Sequence, residues 1–143
     1  MRLVLSIVIL VAALGAGAWF FLLRGDSAMS EAEVTAFLSE RASQINGAEG
    51  GERFDDFSRL VSATAVERQI TIRGDSTLNA DTLNDDWIDS RRAQAANRLC
   101  NDETTRRAMA GRATHVFNWF SADDQHMGMV TIRGDAICAE FGF

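Results

Sequence analysis

Two cysteines bound the last third of the chain and constrain its fold more than any other feature. Cys100 and Cys138 are the only cysteines among 143 residues, and the sequence between them predicts a short helix followed by a β-hairpin. One disulfide would join the start of that helix to the end of the last strand and close the segment on itself. A stable disulfide requires an oxidising compartment, so the pair also predicts a location outside the cytoplasm.

An apolar segment near the N-terminus predicts a membrane anchor. Residues 3–23 carry no charged side chain, and a helix of that length spans about 30 Å, the thickness of a bilayer core. The sequence therefore predicts one transmembrane helix over residues 1–24, a polar linker over 25–30 and one folded domain over 31–143. With a disulfide in the domain, the domain is periplasmic and the helix crosses the bacterial inner membrane. The alternative interpretation is a signal peptide cleaved after residues 16–18.

Small residues in this segment predict that it packs against another helix. Ala12 and Ala16 are four residues apart, as are Ala13 and Gly17, so they line adjoining rows on one helical face. Such a face lets a neighbouring transmembrane helix approach closely. We expect the segment to contact an integral membrane protein complex as well as to tether the domain.

The charge of the remaining chain argues against two classes of partner. Residues 25–143 contain 12 arginines and 20 acidic residues, a formal charge of −8. A surface with this excess of carboxylates repels polyanions and anionic membranes, so we expect no binding to nucleic acid and poor binding to anionic lipid.

The apolar periodicity beyond the linker predicts an α+β domain. Ser30 and Glu33 form a capping-box pattern that opens a helix ending near Ile45. Two further helices and two pairs of strands follow, which predicts a four-stranded antiparallel sheet covered by two or three helices. The predicted strands are residues 54–63, 66–73, 113–120 and 127–133, and the later helices are residues 81–99 and about 102–110, the last ending at Gly111.

The third predicted strand is aromatic on both faces. Phe117 and Trp119 point to one side of a regular strand, and Phe120 points to the other. One face of a covered sheet supplies the core, so apolar side chains on both faces exceed what the core needs. These three residues are therefore candidate contacts with a partner.

Two sets of polar residues have a catalytic or metal-binding interpretation beside a structural one. Asp123, Asp124 and His126 offer metal ligands, but they lie in a predicted turn, where aspartate is common for its local hydrogen bonds. His115 alternates with Phe117 in a strand, which is more typical of a core histidine than of a general base. We predict no metal, no cofactor and no catalytic residue, and the sequence identifies no small-molecule substrate.

The C-terminal pattern resembles a family of small exported bacterial envelope proteins with one C-terminal disulfide module. The resemblance lies in residues 59–62, 98–100, 102–106 and 116–120, with Gly111 and Cys138. Residues 122–125 of this chain replace the Asp-Gly turn of that pattern. The resemblance implies an envelope location and a disulfide, and it brings no activity.

These features together predict a class of function, although not the partner or the complex. We expect a non-catalytic accessory or assembly subunit of a larger inner-membrane complex, bioenergetic or secretory, with a disulfide-locked domain in the periplasm. The alternative is a free-standing anchored envelope protein that binds a small ligand or a secreted protein.

Overall fold

The computed structural model describes residues 27–84 and 86–143. The predicted anchor lies outside these residues, and with it the small-residue face formed by Ala12, Ala13, Ala16 and Gly17. Within the described ranges, no helix combines the length and the apolar character needed to cross a bilayer.

Helices and strands alternate along the described chain in an α+β arrangement. Its elements, in order, are α1 (Glu31–Gly47), β1 (Glu52–Arg53), β2 (Ser58–Val66), β3 (Gln69–Ser76), a 3₁₀ turn (Ala80–Thr82), α2 (Trp87–Asn101), α3 (Glu103–Ala110), β4 (Thr114–Phe120), β5 (His126–Arg133) and α4 (Ala136–Glu140).

The strands form one five-stranded mixed sheet, in the order β1-β2-β3-β4-β5. The prediction of four antiparallel strands is therefore wrong in two respects. The two-residue strand β1 pairs with β2 and adds an edge. Strands β3 and β4 pair in parallel, because α2 and α3 carry the chain back to the end at which β3 began, as a helical crossover does.

The helices cover one face of this sheet. Helix α1 packs on β2 and β3, and α2 packs on β5. Along β3, Ile70 and Ile72 are buried while the alternate residues Thr71 and Arg73 are partly exposed, as expected of a sheet with one covered face.

The first helix begins where the capping-box pattern predicts. Helix α1 begins after Ser30, whose hydroxyl accepts from the Glu33 amide at 3.4 Å while the Glu33 carboxylate accepts from the Ser30 amide at 2.8 Å. The predicted capping box is therefore confirmed. The buried residues of α1 form one stripe, made of Val34, Leu38, Ala42 and Ile45.

Two predicted boundaries are wrong. The β2–β3 hairpin turns at Glu67 and Arg68, not near residue 64, because Glu67 adopts a left-handed φ of 51° without the glycine that usually marks such a turn. Helix α2 starts at Trp87, after a 3₁₀ turn, and not at residue 81. The predicted end of α3 at Gly111 is correct, and this residue has φ −75°. It is needed for space, since a Cβ there would lie 2.5 Å from the Met29 carbonyl oxygen.

Cys100 and Cys138 form a disulfide with a Cα–Cα distance of 5.5 Å. The bridge joins the last turn of α2 to the short helix α4, and not to the end of a strand as the sequence predicted. Both cysteines are buried, at 0% and 5% exposure. The bond therefore closes the edge of the fold formed by α2, α3 and α4.

Candidate functional site

A cleft of about 410 Å³ opens between α1 and the α2–α3 pair, above the covered face of the sheet. Each wall comes from a helix and the floor comes from three adjacent strands, so four separate parts of the chain must fold before the cleft exists. Its lining residues are Phe37, Arg41, Gln44, Leu60, Ile72, Arg98, Leu99, Asp102, Thr104, Thr105, His115 and Phe117.

Two arginines and one carboxylate fix one rim of the cleft. The Arg41 Nη2 donates to Glu52 Oε1 at 2.6 Å, and Arg98 donates to the same oxygen from the opposite wall. Burial alone raises the pKa of Glu52, but the hydrogen bond from Arg41 and the charges of Arg41 and Arg98 outweigh it and hold the pKa below its usual range. One carboxylate thus ties α1 to α2 and leaves one excess positive charge at this rim.

A helix cap fixes the wall of the cleft that α3 provides. Asp102 accepts from the Thr105 hydroxyl and from the Thr105 amide, both at 2.7 Å, and these bonds lower the pKa of Asp102. The carboxylate therefore stays ionised at the start of α3, where its negative charge interacts favourably with the positive end of the helix dipole. The cleft has a positive and a negative side.

His115 lies at the floor of the cleft and is 2% exposed. Burial, and then the charge of Arg41, lower the pKa of His115 to about 4. Its Nδ1 makes no hydrogen bond to any residue among 27–84 and 86–143. At neutral pH this ring is therefore an uncharged part of the core, which agrees with the core interpretation of its position in the strand.

Two of the three aromatic residues proposed as partner contacts are buried. Phe117 and Trp119 are 3% and 0% exposed, because the covered face of β4 lies under Phe54 and α2. The Phe54 ring meets the Trp119 ring at 4.9 Å, and the Arg91 guanidinium lies 5.1 Å from the Trp119 ring centroid. Trp119 is closed to a partner, and Phe117 can be reached only through the cleft that it lines.

Phe120 lies on the open face and is half-buried. The Arg73 guanidinium lies 4.0 Å from its ring centroid, and the His126 ring lies 5.3 Å away. It remains a candidate contact, separate from the cleft.

The residues weighed as metal ligands serve the β4–β5 turn. Asp123 accepts from the Ser121 hydroxyl and from Gln125 Nε2, each at 2.6 Å, and Asp124 pairs with Arg73. Within the part of the chain that the structure describes, no group of three or more histidine, cysteine or carboxylate side chains has the arrangement of a metal site.

Sequence reasoning missed the rim of the cleft. Arg41, Glu52 and Arg98 are separated by 11 and 46 residues, so no local pattern links them. The sequence offers one indirect signal, which is that Arg41 falls three residues after Leu38 and four before Ile45, on the apolar side of α1. Only the folded arrangement brings the three charges together.

No protein-family model matches the chain, and no curated protein sequence matches it either. Three solved structures share its fold. The first is a Pseudomonas aeruginosa protein assigned to the secreted class, 15% identical, with a TM-score of 0.59 over 78% of this chain and 98% of that one. The second is EpsS, the type II secretion pilotin of Vibrio vulnificus, 14% identical, with a TM-score of 0.60 over 76% and 94%. The third is AspS, the type II secretion pilotin of Vibrio cholerae, 14% identical, with a TM-score of 0.59 over 74% and 93%.

Proposed function

We propose that this chain is a non-catalytic accessory or assembly subunit of a protein complex in the bacterial envelope, and that its cleft binds a segment of a partner protein. The observation that carries the proposal is the cleft itself, with an apolar floor that includes Leu60 and Ile72 between fixed charged rims. Two of the similar structures are pilotins of type II secretion systems, which supports a secretion apparatus as the setting.

The chemistry of the cleft selects the kind of segment. An amphipathic helix places apolar side chains toward the floor and polar ones toward the rims, as other groove-binding helices do. Each apolar side chain that it buries contributes about 1.5–3 kcal/mol before the cost of association. An acidic residue of the partner fits the Arg41–Arg98 side, and a basic or hydroxyl residue fits the Asp102 side.

The apolar residues 3–23 give the proposal its location. We infer that they cross the inner membrane once, with the described domain in the periplasm, where the Cys100–Cys138 bond is stable. The face formed by Ala12, Ala13, Ala16 and Gly17 then contacts an integral membrane subunit. The partner complex is thus held at two points.

One observation favours the alternative of a free-standing anchored protein that binds a small ligand. The cleft volume, about 410 Å³, lies within the range of about 300–1,000 Å³ found for small-molecule sites. The two functions differ in native mass, because a subunit migrates with its complex and a free protein migrates near its own mass.

Co-purification from native membranes tests the proposed function. Phe37→Asp places a charge in the α1 wall of the cleft, and Phe57→Asp is the matched control, because Phe57 is 53% exposed and does not line the cleft. We expect the parent and the control to migrate as a large complex in mild detergent, and Phe37→Asp to migrate alone while remaining folded. Migration of the parent near its own mass would show that no such complex exists.

A further inference from the structure

One end of the sheet concentrates arginine side chains in a domain that is otherwise acidic. The three arginines Arg68, Arg112 and Arg133 lie together there because Gln69, Thr114 and Arg133 occupy one register row across β3, β4 and β5. Arg68 directly precedes Gln69 and its carbonyl accepts from the Thr114 amide at 2.8 Å. We call this region, with Arg106 and Arg107, the basic end.

The charges at the basic end are available to a partner. The side chains of Arg68, Arg112 and Arg133 have no ion pair and no hydrogen bond to any residue among 27–84 and 86–143. Arg112 and Arg133 are exposed, and Arg68 is partly exposed. By contrast, Arg41, Arg91 and Arg98 each form an ion pair with a carboxylate.

Carboxylates near the basic end are fewer than its arginines. Glu33, Glu67, Glu103 and Asp135 lie beside five arginines, which leaves one excess positive charge. Residues 25–143 as a whole carry a formal charge of −8. Such a separation of charge fixes the orientation of a domain near an anionic surface, since the rest of the domain is repelled.

The chain enters the domain at this same end. Arg107 Nε donates to the Ser27 carbonyl at 3.2 Å, and the Met29 amide donates to the Arg107 carbonyl at 3.1 Å. The predicted linker is therefore attached to α3 from Ser27 onward. Only residues 24–26 separate Ser27 from the apolar residues 3–23, and three residues span about 10 Å at most.

Two exposed apolar side chains accompany the arginines. Val66, at the tip of the β2–β3 hairpin, is 65% exposed, and Phe143, beside Arg106 and Arg107, is 44% exposed. Exposed apolar side chains next to arginines are the composition of surfaces that lie in the headgroup region of a bilayer.

We propose that the basic end is a membrane-facing surface that binds the phosphate groups of anionic phospholipids and thereby holds the domain in one orientation on the bilayer. The proposal goes beyond the proposed function and uses from it only the anchor.

Hydrogen–deuterium exchange of the reconstituted full chain tests this surface. The chain is placed in vesicles of phosphatidylcholine alone, or of phosphatidylcholine mixed with anionic phosphatidylglycerol. Flotation of the chain with the neutral vesicles measures insertion of the anchor, because these vesicles carry no anionic lipid for the basic end to bind. We expect the hairpin tip around Val66 to exchange about fivefold or more slowly on anionic vesicles, since one arginine near such a surface strengthens attachment about fivefold.

Two triple variants complete the experiment. Arg68→Gln, Arg112→Gln and Arg133→Gln together should abolish the difference between the two lipids. The matched control, Arg53→Gln, Arg59→Gln and Arg92→Gln, removes the same charge elsewhere and should keep it. In both lipids the turn at residues 121–125, at the opposite end of β4, serves as the internal reference. The proposal would be overturned if the hairpin tip of the parent exchanged equally fast in both lipids. It would also be overturned if both triple variants lost the difference between the lipids to the same extent.

Discussion

Removing the buried histidine should change how stability depends on pH. The pKa of His115 lies at about 4, against an ordinary value of 6.5, because the ring is buried and Arg41 is near. The unfolded chain therefore binds a proton at this residue between pH 6.5 and 4 that the folded chain does not bind. Stability rises with pH wherever the unfolded state holds more protons, so this contribution is lost as pH falls through that window.

The size of the effect follows from the two pKa values. Each pKa unit corresponds to about 1.4 kcal/mol, so the loss between pH 7 and pH 5 is about 2 kcal/mol and its limit below pH 4 is about 3 kcal/mol. Glu52 contributes in the same direction, since its pKa is lowered by Arg41 and Arg98 against the effect of burial. Its loss occurs mainly below pH 5, under its unfolded pKa of 4.5, so the interval from pH 7 to 5 isolates the histidine.

Guanidinium unfolding of the full chain in mild detergent measures this at pH 7, 6 and 5, followed by tryptophan fluorescence. His115→Leu keeps the volume and removes an Nδ1 that lacks a partner among the described residues, so the variant should lie within about 1.5 kcal/mol of the parent at pH 7. Only the parent loses the histidine contribution as the pH falls. The free energy of unfolding of His115→Leu minus that of the parent should therefore rise by about 2 kcal/mol between pH 7 and pH 5. His126→Gln removes an exposed histidine and is the control. Equal pH dependence of the parent and His115→Leu would refute the assignment of a neutral, buried His115.

Three further predictions concern the fold and the anchor. Mass analysis without reductant should find Cys100 and Cys138 bonded, and replacing both with alanine should lower the free energy of unfolding by about 4 kcal/mol, given a sequence separation of 38; two free thiols in native protein would contradict it. Gly74→Ala should cost about 1–3 kcal/mol in chemical unfolding, because its Cβ would lie 2.3 Å from the Trp119 ring, and an unchanged midpoint would show that the ring is not held there. Gly17→Ile should leave membrane insertion intact while weakening co-purification with the complex; unchanged co-purification would mean that the segment only tethers the domain.

Local chemistry explains what the sequence could predict. Ser30 and Glu33 act within one turn of a helix, and the β4–β5 hairpin joins strands only five residues apart, so neighbouring residues contain the information. The side chain of Asp102 caps α3, at the start of the helix that the sequence predicts over about 102–110. Such features depend on contacts close in sequence.

Long-range contacts explain what the sequence could not predict. The parallel pairing of β3 with β4 depends on how α2 and α3 return the chain, and nothing in either strand specifies that partner. Phe117 and Trp119 were expected to be in excess of the core because the covering by Phe54 and Arg91 comes from residues far along the chain. The cleft has the same origin, since its walls and floor come from separate elements.

Photocrosslinking within the cleft tests the central claim most directly. Benzoylphenylalanine at position 37 places the reactive ring on the α1 wall of the cleft, and the same residue at position 57 places it on the exposed loop before β2. Irradiation of native membranes should link position 37, and not position 57, to one protein of the complex that co-purifies with the parent chain. If neither position forms a link while the intact complex is present, or if both form the same link equally, then the cleft is not where the partner binds.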